Sequence, residues 1–84
     1  MITEKIIIMN EVGLHARPAS EFVRIAERYS SGVRLCKDGI WVNAKSILAI
    51  LTLAAEKGSE VILEVKGKDE AVAFPALRAV LTGS

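Results

Sequence analysis

Cysteine, histidine and tryptophan occur once each in this 84-residue chain, and proline twice. A single cysteine, Cys36, closes no internal disulfide, which fits a reducing compartment. One histidine and one cysteine make no ligand set, so no metal site is expected, and no cofactor motif is present. The formal net charge is only +1, which excludes nucleic-acid binding driven by bulk charge. No apolar run reaches the length of a membrane span, and Met1-Ile2-Thr3-Glu4-Lys5 opens no cleavable signal. The expectation is a cytoplasmic protein without membrane insertion. Aromatic residues make up 5 %, so the core must be aliphatic. Linkers, repeats and low-complexity tracts are missing, which leaves one domain over 1–84.

What is present is regular patterning. Glu4 to Met9 is β-branched and apolar and reads as a first strand. Ala19, Phe22, Val23 and Ala26 fall at helical spacing, and Ser30-Ser31-Gly32 ends that pattern, with Gly32 placed to turn left-handed. Val33–Lys37 and Ile40–Asn43 read as strands joined by Asp38-Gly39, a strong hairpin signal. Ser46 caps a short second helix, with Gly58 closing that segment. There Ile50 and Leu53 belong in the core, and Leu48 and Leu51 mostly at the surface. Glu60–Lys66 alternates, with Val61, Leu63 and Val65 on one face. Asp69 caps a third helix towards Leu81. The order β-α-β-β-α-β-α predicts an α+β fold, a mostly antiparallel sheet with helices on one face.

Pro75 lies inside the third helix, beyond its first turn, and removes the bond to the carbonyl of Ala71. Two outcomes follow: a kink at 71–74 with Pro75 on the solvent side, or a restart with Pro75 in the first turn. The kink is favoured, because Val72, Ala76, Leu77 and Val80 hold one face across the proline.

The chemistry concentrates in Gly13-Leu14-His15-Ala16-Arg17-Pro18-Ala19-Ser20. Pro18 falls in the first turn of a helix, where its missing N–H costs nothing. His15 therefore sits at or beside the N-cap. A helix start offers unpaired N–H groups and a partial positive charge, a receptive place for phosphate. An imidazole there can carry a phosphoryl group whose oxygens the amides receive. The same dipole disfavours the imidazolium and so keeps a ring nitrogen nucleophilic. Arg17 brings a guanidinium fork suited to phosphate oxygens. A structural cap is more often Ser, Thr, Asp or Asn, so histidine argues for chemistry. The residues alone leave open which ring nitrogen reacts.

GLHARPAS resembles the phosphorylation-site signature of the HPr family, the histidine-containing phosphocarriers of the bacterial phosphoenolpyruvate-dependent sugar phosphotransferase system. Asn43-Ala44-Lys45-Ser46-Ile47-Leu48 resembles the family's regulatory serine segment, in register with the first block. The resemblance implies an open-faced β-sandwich, a four-stranded sheet of order 1-4-2-3 with three helices on one face. It implies phosphorylation at Nδ1 of His15, with Ala16 and Arg17 receiving the phosphate. Enzyme I would be the donor, enzyme IIA domains the acceptors, and the chain a stoichiometric carrier rather than an enzyme. It implies docking through Ala16, Ser20, Arg24, Lys45, Ile47, Leu48 and Leu51, and a regulatory phosphate on Ser46 added by an HPr kinase/phosphorylase. A carrier in a nitrogen-related or dihydroxyacetone kinase branch and a Ser46-dependent binding regulator are the alternatives.

Strand alternation then sends Ile6, Ile8, Val33, Leu35, Val42, Val61, Leu63 and Val65 towards the helices. Ile7, Cys36, Trp41 and Ile62 point the other way, mixed with Lys5, Arg34 and Glu64, whose charges trim that face. In the family's strand order the four apolar residues form a band, a candidate for weak self-association.

Overall fold

The hairpin forms as the Asp38-Gly39 pair dictates. Both residues take positive φ, 54° and 80°, which the central positions of a type I′ turn require. In the computed structural model, which describes residues 1–83, this turn joins β2 (Gly32–Lys37) to β3 (Ile40–Asn43). Lys37 faces Ile40 and Arg34 faces Asn43 across the ladder. The remaining strands are β1 (Ile2–Ile7) and β4 (Glu60–Lys66). All neighbours are antiparallel, in the order β1-β4-β2-β3.

Three helices, α1 (Ala16–Ala26), α2 (Ile47–Thr52) and α3 (Glu70–Thr82), pack on one face. Beneath them lie the fully buried Ile8, Phe22, Leu35, Ile50, Val61, Leu63, Val65, Leu77 and Leu81. Ile6 and Val33 join them, and Val42 is half-buried against the same core. The inward set is the one that alternation predicts.

Several local expectations need correction. β1 begins and ends two residues earlier than read, at Ile2 and Ile7. Beyond it Ile8 still pairs with the β4 side, donating to Ser59 O at 2.9 Å. α1 stops at Ala26, and a short series of tight turns leads on. Gly32 takes no positive φ; it opens β2 instead. α2 ends at Thr52 and closes on Ala54, left-handed at φ 50°, rather than on Gly58. Gly58 instead donates its N–H to Ile8 O, just past the end of β1, at 2.8 Å. Leu48 is exposed as expected, whereas Leu51 is partly buried against the core.

α3 corrects two further points. Asp69 holds the N-cap position but makes no capping bond with its side chain. Its carboxylate instead reaches across to the start of β2 and accepts from Ser30 N, Ser31 N and Ser31 Oγ. The helix then runs unbroken past Pro75, which is exposed, so no restart occurs there. Its buried face is Ala73, Phe74, Leu77, Val80 and Leu81; Val72 is 61 % exposed and lies off it.

On the open face one register row crosses all four strands: Lys5, Ile62, Cys36, Trp41. Ile7 and Trp41 are exposed on this face, and the charged residues expected among the apolar ones trim it. Arg34 lies over the Trp41 ring, 4.5 Å from its centroid. The same guanidinium grips Glu64 with two bonds of 2.7 and 3.0 Å. Cys36 is covered, at 3 % exposure, and Ile62 is half-buried.

Candidate functional site

Gly13 makes the corner from which the site is built. It sits at φ 64°, and a Cβ there would lie 2.7 Å from both Ala55 O and Glu56 Cα. Glycine alone permits both that backbone and that approach. The closeness is used: Leu14 N donates to Ala55 O at 2.9 Å, while Gly13 N donates to Asn10 O at 3.0 Å. Leu14 is buried, and the chain then emerges at His15.

His15 is the N-cap of α1, with extended backbone and no capping bond from its side chain. The ring is left free for other work, its side chain 65 % exposed. The His15 carbonyl already accepts from Ala19 N at 2.9 Å. Of the next three positions Pro18 has no N–H, so Ala16 and Arg17 supply the helix's unclaimed donors. No acidic residue occupies the first turn to compete for them. Arg17 is exposed at the second helical position and has no ion pair among the described residues. A nucleophilic ring, two amide donors and an unengaged guanidinium thus share one helix start, an arrangement suited to holding a phosphoryl group.

The other residues singled out from the sequence lie around it. Ala16, Ser20 and Arg24 recur every fourth residue along the exposed side of α1, opposite buried Ala19, Phe22, Val23 and Ala26. Ser46 caps α2, its hydroxyl accepting from Ala49 N at 3.2 Å. Ile47 is 38 % and Leu48 77 % exposed beside it, with Leu51 set deeper. Lys45 is half-buried, its ammonium donating to Tyr29 O at 2.9 Å. α1 and α2 pack together in the helix layer.

Sequence reasoning missed the acidic side of the site. His15 lines a shallow hollow with Glu11, Val12, Glu56 and Lys57. His15 Nε2 lies 3.8 Å from Glu56 Oε1. Lys57 bonds Glu11 at 2.7 Å, and its hydrogen bond and charge hold the Glu11 carboxyl below the usual range. Glu56 and His15 are far apart in the chain, so no local pattern links them; the Gly13 corner brings them together.

Comparison with known proteins bears on this geometry. A family model described as the PTS HPr component phosphorylation site matches residues 2–82. The phosphocarrier protein HPr of Treponema pallidum is 43 % identical over 77 residues, 92 % of this chain and 88 % of the relative. The HPr-like protein Crh of Bacillus subtilis, also described as the catabolite repression HPr, is 46 % identical over 79 residues, 94 % and 93 % of the two chains. The crystal structure of HPr-C-His from Thermoanaerobacter tengcongensis is similar at a TM-score of 0.92 and 41 % identity, covering 100 % of this chain and 98 % of that one.

Proposed function

This chain belongs to the HPr family of phosphotransferase-system phosphocarriers, and from that membership we propose that His15 accepts a phosphoryl group from phosphorylated enzyme I and passes it to enzyme IIA domains of sugar permeases. The observation that carries the reading is the exposed imidazole of His15, with no capping bond, at a helix start where Ala16 N–H and Arg17 stand unclaimed. The lone pair of Nδ1 attacks phosphorus, the donor's N–P bond breaks, and its electrons return to the donor nitrogen. The dianionic group then meets the positive end of α1 and the Arg17 fork. Onward transfer is the reverse step with a new acceptor. Both transfers are catalysed by the partners, so the chain acts as a cytoplasmic carrier and not as an enzyme.

Docking would use the exposed stripe Ala16, Ser20 and Arg24 with Lys45, Ile47, Leu48 and Leu51, an apolar centre with a basic rim. Ser46 would be the regulatory site of an HPr kinase/phosphorylase. As the cap of α2 it can take a phosphate without loss of the helix, because the added charge of roughly −1.5 to −2 meets a helix N-terminus. The similarity to Crh supports a second reading, in which binding governed by Ser46 regulates a partner.

One experiment tests these roles. Label from phosphoenolpyruvate and enzyme I should be acid-labile and absent from His15→Ala. It should transfer more slowly with Arg17→Ala, and Ser46→Asp should weaken enzyme I docking. Undiminished acid-labile label on His15→Ala refutes the carrier reading, and onward transfer to a panel of enzyme IIA proteins identifies the branch served.

A further inference from the structure

We propose that Glu56 is a positioning residue that decides which nitrogen of His15 takes the phosphoryl group, by holding the Nε2 edge of the ring. The inference deepens the carrier reading and rests on it for its biological use.

The backbone places Glu56 firmly. Leu14 N bonds Ala55 O at 2.9 Å, and Glu56 N donates to Ser59 Oγ at 3.0 Å. The absence of a side chain at Gly13 lets the Glu56 Cα come close to the residue two places before His15. From there Glu56 Oε1 reaches to 3.8 Å from Nε2. The nearby cation does not divert it, because Lys57 is bonded to Glu11 at 2.7 Å. Among the described residues, His15 is the one ion-pair partner of Glu56.

An ionised carboxylate can only accept hydrogen bonds. At 3.8 Å from Nε2 its charge, rather than a formed hydrogen bond, favours the neutral tautomer with its proton on Nε2, which leaves the lone pair on Nδ1. It also opposes a phosphoryl group at Nε2, where a dianion would meet a carboxylate. At Nδ1 the phosphoryl group occupies the other side of the ring. As the Nδ1–P bond forms, the Nε2 proton stays on the ring opposite Glu56, and the carboxylate offsets the positive charge gained there. No other atom changes owner.

Two measurements without enzyme I separate this role from the carrier reading. The first is the imidazole tautomer of the unphosphorylated protein, read from ring 15N shifts at about pH 8, above the ordinary histidine range. The ratio of the Nε2–H to the Nδ1–H form should fall about two- to five-fold in Glu56→Ala, the size expected of an exposed ion pair. It should fall further in Glu56→Lys, which can only donate. The second is chemical phosphorylation by phosphoramidate, in which the reagent's N–P bond breaks and ammonia leaves. Correlation of 31P with the ring protons then distinguishes Nδ1 from Nε2 products. The wild type should give the Nδ1 product, and Glu56→Lys a mixture with Nε2. Unchanged melting temperatures are expected, since the Glu56 side chain is 73 % exposed. A Glu56→Lys protein with the wild-type tautomer ratio and the wild-type product overturns the proposal. A protein that meets both expectations yet takes no label from enzyme I leaves it standing and removes the carrier reading instead.

Discussion

At Gly13 two constraints coincide, a left-handed backbone at φ 64° and backbone atoms of Ala55 and Glu56 where a Cβ would go. Neither is relieved by moving a flexible side chain. Gly13→Ala should therefore cost about 2–4 kcal/mol, from left-handed strain and overpacking together. A urea midpoint lowered accordingly is the check, and a loss under about 1 kcal/mol would show that the corner relaxes. Because the corner feeds directly into His15, the same variant should also slow phosphoryl acceptance. The glycine and the histidine were legible as a pair, since each is an unusual choice before a helix. Glu56 was not, because an exposed acid followed by Lys57 and Gly58 looks like any solvated turn.

The start and the interior of α3 give opposite lessons about elements. At its start, Asp69 was read as a cap and is a tether to the start of β2. The Ser31 hydroxyl, then the Ser30 and Ser31 amides, hold its carboxyl below the usual range. A carboxyl lowered on folding stabilises the fold above its unfolded pKa, and the contribution disappears as pH falls through the folded value. Glu64, held low by Arg34, acts in the same direction. Stability should accordingly decline below about pH 4, where an unfolded aspartate begins to titrate. Asp69→Asn should be less stable at neutral pH and show a flatter acid limb; urea midpoints across pH that run parallel to the wild type would remove the tether from the account. Further along, Pro75 withholds the N–H that Ala71 O would accept, yet the helix continues because its buried face is carried by Ala73, Phe74, Leu77, Val80 and Leu81. Pro75→Ala should restore the bond at an exposed position and stabilise by about 1–3 kcal/mol, after the loss of proline's effect on the unfolded chain. An unchanged or lower urea midpoint would count against it.

For the molecule as a whole, the two faces differ in character. The helix layer carries the exposed N-terminus of α1 and the exposed Leu48, while the sheet turns its other side to solvent. On that side Ile7 and Trp41 are 46 % and 40 % exposed, and one arginine engages the tryptophan. Arg34 stacks on Trp41 and bridges to Glu64, its register partner on β4. Arg34→Ala should leave phosphoryl transfer intact, increase quenching of Trp41 fluorescence by iodide, and promote association at high concentration in sedimentation. Quenching equal to the wild type would mean that the stack does not shield the ring in solution.

The sequence by itself determined the inward face of every strand, the Asp38-Gly39 hairpin, the start of α1 at His15 and the Ser46 cap. Each of these depends on periods of two or 3.6 residues, or on backbone conformations confined to a few adjacent positions. Strand order was available only through family resemblance, since alternation fixes which side a residue faces and not which strand lies next to it. Tertiary structure alone decided what separated residues do to one another: Asp69 turned from cap to tether, Arg34 laid over Trp41, and Glu56 brought to the Nε2 edge of His15. The physical reason is the same in all three. A charged side chain far from its partner in the chain acquires a role only where the fold brings a complementary group within reach, and no local periodicity records that distance.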